Sequence, residues 1–202
     1  MEQGFVVWFT GVAASGKSTV AREVENRLRA RGLKVENLDA DEVRKNLSPD
    51  LGYSLEARDI NTKRLAYMGQ LLSRNGVAVL IAAVSSLRSY RDRARSWISN
   101  FVEVWTKCPQ EVCRQRDPKG LYLRADRGEI NDIAGVHQPY EEPLAAEVVL
   151  ETDRQSPQQC ADQVIAKLEE LGCLAPEPEQ QQVYSPEEEE KIKARLRALG
   201  YL

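Results

Sequence analysis

Eight consecutive residues, Gly11-Val12-Ala13-Ala14-Ser15-Gly16-Lys17-Ser18, match the spacing G-x-x-x-x-G-K-[ST]. Each residue type has a use in holding a polyphosphate. Gly11 and Gly16 permit the tight turns that bring backbone N–H groups close to an anion. Lys17 carries charge to the outer phosphates, and the Ser18 hydroxyl is offered to Mg2+. The run follows the apolar stretch Phe5-Val6-Val7-Trp8-Phe9 and opens a helix over Thr19–Arg31. The helix start adds free N–H groups and the positive end of its dipole at the same place.

A phosphate loop alone does not separate a kinase from a switch or a motor, so the other polar residues must. Asp39 and Asp41 stand at the end of a short strand, where ligands gather in open parallel sheets. There a carboxylate can serve Mg2+ or accept the proton of a hydroxyl that attacks phosphorus. Its alternative use is to cap the helix that follows. Arg44, Arg58 and Lys119 are candidates to hold an anionic acceptor, the arginines because a planar fork pairs two oxygens at once. Taken singly, each also fits a solvated surface charge. Tyr53 offers a face on which a base can stack. Asn61 shares a helix face with Arg58. His137, the only histidine, lies in a loop between Gly135 and Pro139 and is expected to have no catalytic role.

The elements that must position these residues alternate. Gly32 stops the first helix and Lys34–Leu38 forms a second strand, followed by a short helix over Asp41–Asn46. Ser54 caps a longer helix over Leu55–Arg74. The uninterrupted apolar run Val77–Val84 reads as a strand buried on both faces and is expected to be the central one. A helix over Arg88–Ser99, a strand over Phe101–Thr106 and a short helix over Pro109–Gln115 follow. Residues 116–135 form a polar, glycine-punctuated excursion of the length expected of a lid. A last strand spans Ala146–Leu150, and Ser156-Pro157-Gln158-Gln159 has a capping-box pattern opening a helix to Leu171. This order predicts an α/β fold of the P-loop NTPase type, with five parallel strands and helices on both faces. Residues 1–175 are read as that domain. Residues 176–202 are read as a Pro/Glu/Gln-rich linker and a short amphipathic helix with a narrow stripe of Ile192, Leu196 and Leu199.

Composition limits the partners. The 202 residues are 42% hydrophobic, enough for one core of ordinary size. A net charge of −3 gives no broad basic field for nucleic acid or anionic lipid. No apolar run approaches the length that spans a bilayer, and the chain is expected to be soluble and cytoplasmic, with no membrane partner. Cys108, Cys113, Cys160 and Cys173 show no metal-ligand or disulfide spacing and read as small buried apolar residues.

A longer pattern carries a resemblance. Gly11 to Thr19, Leu38 to Arg44, Asp50-Leu51-Gly52-Tyr53, Arg58-Asp59-Ile60-Asn61, Glu111-Val112-Cys113, Arg116-Asp117-Pro118-Lys119-Gly120-Leu121-Tyr122 and Gly135 to Glu141 occur in the order seen in adenylylsulfate kinases. The chain resembles that family across roughly residues 4–152. The resemblance implies transfer of the ATP γ-phosphoryl group to the 3′-hydroxyl of adenosine 5′-phosphosulfate, a mobile lid and a homodimer. It implies that Gly11, Ala13, Ala14, Ser15, Gly16, Lys17, Ser18, Thr19 and Arg116 bind ATP and that Ser18 and Asp39 hold Mg2+. Asp41, Lys17 and Ser85 would be catalytic. Asp41, Arg44, Tyr53, Arg58, Asn61, Ser85, Lys119, Leu121 and Ile133 would hold the acceptor. Several positions depart from the family's usual residues, among them Ala40 for Gly, Ser86 for Pro, Ile133 for an aromatic Phe and His137 for Asp. The substrate wall at Ile133 is the largest change. Two further readings therefore stay open, a kinase of the same fold with another nucleotide-linked acceptor and a nucleotide-binding interaction module whose C-terminal helix docks a protein partner.

Overall fold

The computed structural model describes residues 4–177 and 186–198. Five strands, β1 (Val6–Thr10), β2 (Val35–Asp39), β3 (Ala78–Ala82), β4 (Phe101–Lys107) and β5 (Val148–Glu151), form one parallel sheet in the order β2-β3-β1-β4-β5. Every residue of β1 and β3 is buried, which is why both read as continuous apolar runs rather than alternating ones. The central position belongs to β1 and not, as the sequence suggested, to β3. An apolar run reports burial on two faces, and β1 and β3 share that property; lateral order depends on pairing with other strands.

The helices are α1 (Lys17–Ala30), α2 (Ala40–Leu47), α3 (Leu55–Ser73), α4 (Arg88–Trp97), α5 (Gln110–Arg116), α6 (Leu121–Asp126), α7 (Pro157–Glu170) and α8 (Pro186–Ala198). On one face of the sheet Val20, Val24 and Leu28 of α1 and Val164, Ile165 and Leu168 of α7 join Val7, Leu80 and Val104 in a buried cluster. On the other face Leu65 of α3 and Ala94 of α4 pack with Val6, Trp8 and Ile81. Burial of such side chains stabilises the fold by about 1.5–3 kcal/mol each.

The caps follow the sequence. Ser54 Oγ accepts from Ala57 N, and Ser156 and Gln159 form the expected reciprocal capping box. The 116–135 excursion is less open than expected, because α6 lies within it. Gly120 (φ 64°) precedes α6, Gly128 (φ 72°) follows it, and Asp117 Oδ2 accepts from Leu123 N. Cys113 and Cys160 are buried as expected, whereas Cys108 and Cys173 are only half-buried; all four are free thiols. No described helix is long and apolar enough to cross a membrane. In the C-terminal stripe, Leu196 is partly exposed; Leu199 and the side chain of Ile192 lie outside the described residues.

Candidate active site

β1 lies between β3 and β4; the chain builds β2 and β3 on one side of it and then crosses to β4 and β5 on the other, so the strand order reverses beside β1 at its carboxyl end. Crevices of this kind bind ligands in open α/β sheets. The phosphate loop occupies this point. Gly16 takes φ 93° just before α1, and Gly11 takes φ 152° where a Cβ would sit 2.6 Å from Ser15 Oγ and 2.8 Å from the Thr106 carbonyl oxygen. The loop is braced by residues distant in sequence. Ser15 Oγ and Thr106 Oγ1 are hydrogen-bonded at 2.7 Å, Thr152 Oγ1 donates to Ser15 O at 2.9 Å, and Tyr122 Oη donates to Ala13 O at 3.0 Å. None of these three braces is marked by a spacing rule. The only hint in the sequence is that Thr106 and Thr152 stand at strand ends.

Lys17 Nζ donates to the carbonyls of Gly11 (3.0 Å) and Val12 (2.8 Å). Burial pushes its ammonium down to about 8, against the fields of Asp41 and Asp39, which hold it up. Ser18 Oγ donates to Asp39 Oδ2, while Asp39 Oδ1 accepts from Asp41 N at 3.0 Å. Asp39 thus caps α2, the alternative use the sequence offered, and in addition meets the loop hydroxyl. Asp41 forms an ion pair with Lys119. Burial by itself would lower the Lys119 ammonium, but the Asp41 hydrogen bond and charge overcome this and raise it.

These groups line a cleft of about 1310 Å³ together with Ala13, Ala14, Gly16, Thr19, Arg116 and Leu121. Arg116 is anchored there by donation from Nη2 to Thr152 O at 2.5 Å. A second group gathers nearby. The Arg44 guanidinium lies 4.4 Å and that of Arg58 5.6 Å from the Tyr53 ring centre. Burial lowers both guanidinium pKa values, and for Arg58 the neighbouring Arg44 charge lowers it further. Arg44 donates to the carbonyls of Leu51 and Gly52, and Arg58 to those of Tyr53 and Asp132. Asn61 is buried and its Oδ1 has no hydrogen-bond partner among the described residues. Leaving such an acceptor unpaired costs about 1–3 kcal/mol.

Of the other expected residues, Ser85 and Ile133 neither line the cleft nor join this second group. Ser85 is 6% exposed, and its hydroxyl accepts from Trp8 Nε1 at 3.1 Å. Its left-handed backbone (φ 43°) turns the chain after β3 and leaves the side chain against the core. Ile133 is 5% exposed and packs with Cys113 and Tyr122 against Val12, Ala13 and Ala14. An aliphatic side chain gains most by joining this apolar underside of the loop. The His137 ring accepts a long hydrogen bond from Ile133 N (3.4 Å), its backbone N donates to Ile133 O (2.9 Å), and it does not line the cleft.

A phosphate loop at the switch point, a carboxylate-lysine pair across from it and an arginine-rich wall define an ATP-dependent kinase of the P-loop class. Residues 3–151 match the family model described as adenylylsulphate kinase, and the chain belongs to that family. An adenylyl-sulfate kinase of Rippkaea orientalis is 45% identical over 174 residues, covering 86% of this chain and 96% of its own length. A probable adenylyl-sulfate kinase of Pyrococcus abyssi is 44% identical over 172 residues, with 85% and 99% covered. Among solved structures, the Mycobacterium tuberculosis APS kinase in complex with AMPPNP and APS superposes with a TM-score of 0.81 at 39% identity, covering 84% of this chain and 99% of its own.

Proposed function

We propose that this chain transfers the γ-phosphoryl group of ATP to the 3′-hydroxyl of adenosine 5′-phosphosulfate, giving 3′-phosphoadenosine 5′-phosphosulfate and ADP. The observation that carries the reading is the placement of one carboxylate. Asp41 pairs with Lys119 and lies within the field of Lys17 in a single cleft. It therefore stands between the groups suited to the donor phosphates and those suited to an anionic acceptor.

In this reading the loop N–H groups, Lys17 and Thr19 hold the triphosphate, and Arg116 flanks the nucleotide. Asp41 orients the acceptor hydroxyl and takes its proton as oxygen attacks the γ-phosphorus and ADP leaves. Arg44, Arg58, Asn61 and Lys119 bind the phosphosulfate and ribose, Tyr53 stacks on the adenine, and Leu121 closes the cleft. Ser85 and Ile133 act from behind, through the core and the loop, rather than by contact.

The hard-oxygen pair of Ser18 and Asp39 fits Mg2+, which takes few protein ligands and relies on substrate phosphates for the rest. Bound there, Mg2+ supplies charge neutralisation at the β- and γ-phosphates. A homodimer is expected of the active form, as is a protein partner for α8 if that helix docks elsewhere.

The test is consumption of ATP by the purified protein with Mg2+, with and without adenosine 5′-phosphosulfate, and with the product identified by mass. Appearance of the 3′-phosphorylated product supports the proposal. ATP binding with this acceptor untouched sends the search to other nucleotide-linked acceptors, the change at Ile133 being the reason.

A further inference from the structure

Gln138 lies on the segment that returns beneath the phosphate loop, and both ends of its side-chain amide are engaged. Its Oε1 accepts from Arg58 Nε at 3.1 Å, and its Nε2 donates to the Tyr53 carbonyl at 3.0 Å. The chemistry fixes this orientation, since a guanidinium can only donate and a carbonyl can only accept. The Gln138 backbone is equally held: its N donates to Ile133 O at 3.1 Å, and its O accepts from Gly135 N at 2.7 Å. Arg58 Nε also donates to Tyr53 O (3.0 Å), and its Nη2 donates to Asp132 O (2.7 Å). One ring of hydrogen bonds thus joins the loop before α3, the first turn of α3 and the segment 132–138, which lies about eighty residues further along the chain.

We propose that Gln138 is a positioning residue for the acceptor. It locks the Tyr53 loop and the Arg58 guanidinium in one orientation toward the anion and base they are to receive. Ile133 is packed against the phosphate loop and supplies no aromatic wall, so the fixed pose of Tyr53 and Arg58 supplies recognition that a second ring would otherwise share. Without Gln138, Arg58 keeps its charge but regains freedom about its long side chain, and ordering it again weakens binding. The donor phosphates are held by other groups, so they are not involved. This inference rests on the proposed roles of Tyr53 and Arg58.

The full chain carrying Gln138→Ala is compared with wild type by steady-state kinetics and by amide hydrogen exchange without substrate. The acceptor KM is expected to rise about 5- to 30-fold, equivalent to about 1–2 kcal/mol. The kcat and the KM for ATP stay within about twofold. In an Arg58→Met background the same change has little further effect, because residues acting through one another are not additive. Exchange quickens at the amides of Leu51, Ala57 and Arg58 and is unchanged in α1 and α7. An unchanged acceptor KM, a parallel rise in the KM for ATP, or full additivity with Arg58→Met overturns the proposal. Should Gln138→Ala fail to fold, Gln138→Glu replaces it. That variant keeps the bond to Arg58, loses the donor to Tyr53 and is expected to raise the acceptor KM without loss of exchange protection at Arg58; an acceptor KM equal to wild type overturns the proposal there too. If wild type leaves adenosine 5′-phosphosulfate untouched, the proposed function fails by itself. The exchange comparison then decides separately whether Gln138 holds the Tyr53 loop, and equal exchange in variant and wild type refutes it.

Discussion

Replacing Asp41 by Asn separates the chemistry of the cleft from its architecture. The side chains are nearly the same size, and the backbone N–H of residue 41, which bonds Asp39 Oδ1 at 3.0 Å, is retained. The lost interaction is the ion pair with Lys119, whose partners are 54% and 57% exposed. A pair that open is worth about 0–1 kcal/mol to stability. By contrast, losing a positioned general base costs about 10²- to 10⁴-fold in rate, or about 2.7–5.5 kcal/mol of barrier. The catalytic effect should therefore exceed the structural one several times over. Initial rates with Mg2+, ATP and adenosine 5′-phosphosulfate are expected to show kcat falling at least a hundredfold, while the thermal midpoint moves by no more than a few degrees. ATP titration well below pH 8, where Lys17 carries its proton, should be nearly unchanged, since Lys17 keeps its contacts to the Gly11 and Val12 carbonyls. A variant with kcat within tenfold of wild type would refute the role given to Asp41. So would a loss of activity matched by a comparable loss of stability or of ATP binding.

Other outcomes follow from the same geometry. Gly11→Ala forces a Cβ to within 2.6 Å of Ser15 Oγ and 2.8 Å of Thr106 O in a backbone conformation that L residues avoid, and urea unfolding should show a loss of about 2–4 kcal/mol. Glu103→Ala strips the buried Arg91 of its 2.7 Å carboxylate partner and is expected to cost about 3–5 kcal/mol in the same assay. Burial holds the Lys17 ammonium near 8 in the free protein, below its ordinary 10.5. Below pH 8 the cation is ready for phosphate, and above it ATP binding must first take up a proton, so affinity should fall by up to tenfold per pH unit, with proton uptake seen by calorimetry and the dependence lost in Lys17→Met. Removing residues 176–202 is expected to leave the kinase rate intact and to alter only oligomeric or pull-down behaviour; unfolding of the truncated chain would instead make the tail structural.

Much of the fold and the donor half of the site could be read along the chain. The phosphate loop, the caps at Ser54 and Ser156 and the carboxylates after β2 are local patterns, since turn geometry, helix periodicity and capping depend on residues a few positions apart. Lys17, Ser18, Asp39, Asp41 and Lys119 accordingly arrive together. The acceptor half was legible as residue types but not as contacts. Ser85 and Ile133 sit in chain positions suited to a site, yet their side chains turn to Trp8 and to the underside of the loop. Nothing near Thr106, Thr152 or Gln138 in sequence announces what they hold.

The elements, their alternation and the chemistry offered at the carboxyl ends of the strands follow from residue order alone, because backbone preference and burial period are short-range properties. That β1 is central, that Thr106 and Thr152 brace the phosphate loop, and that Gln138 meets Arg58 and Tyr53 emerges once the chain is folded. Those outcomes rest on strand pairing and on hydrogen bonds between segments roughly eighty to one hundred and forty residues apart. Each such partner is chosen by whichever donor, acceptor or apolar surface the completed fold leaves within reach, and neighbouring residues in the chain carry no record of that choice.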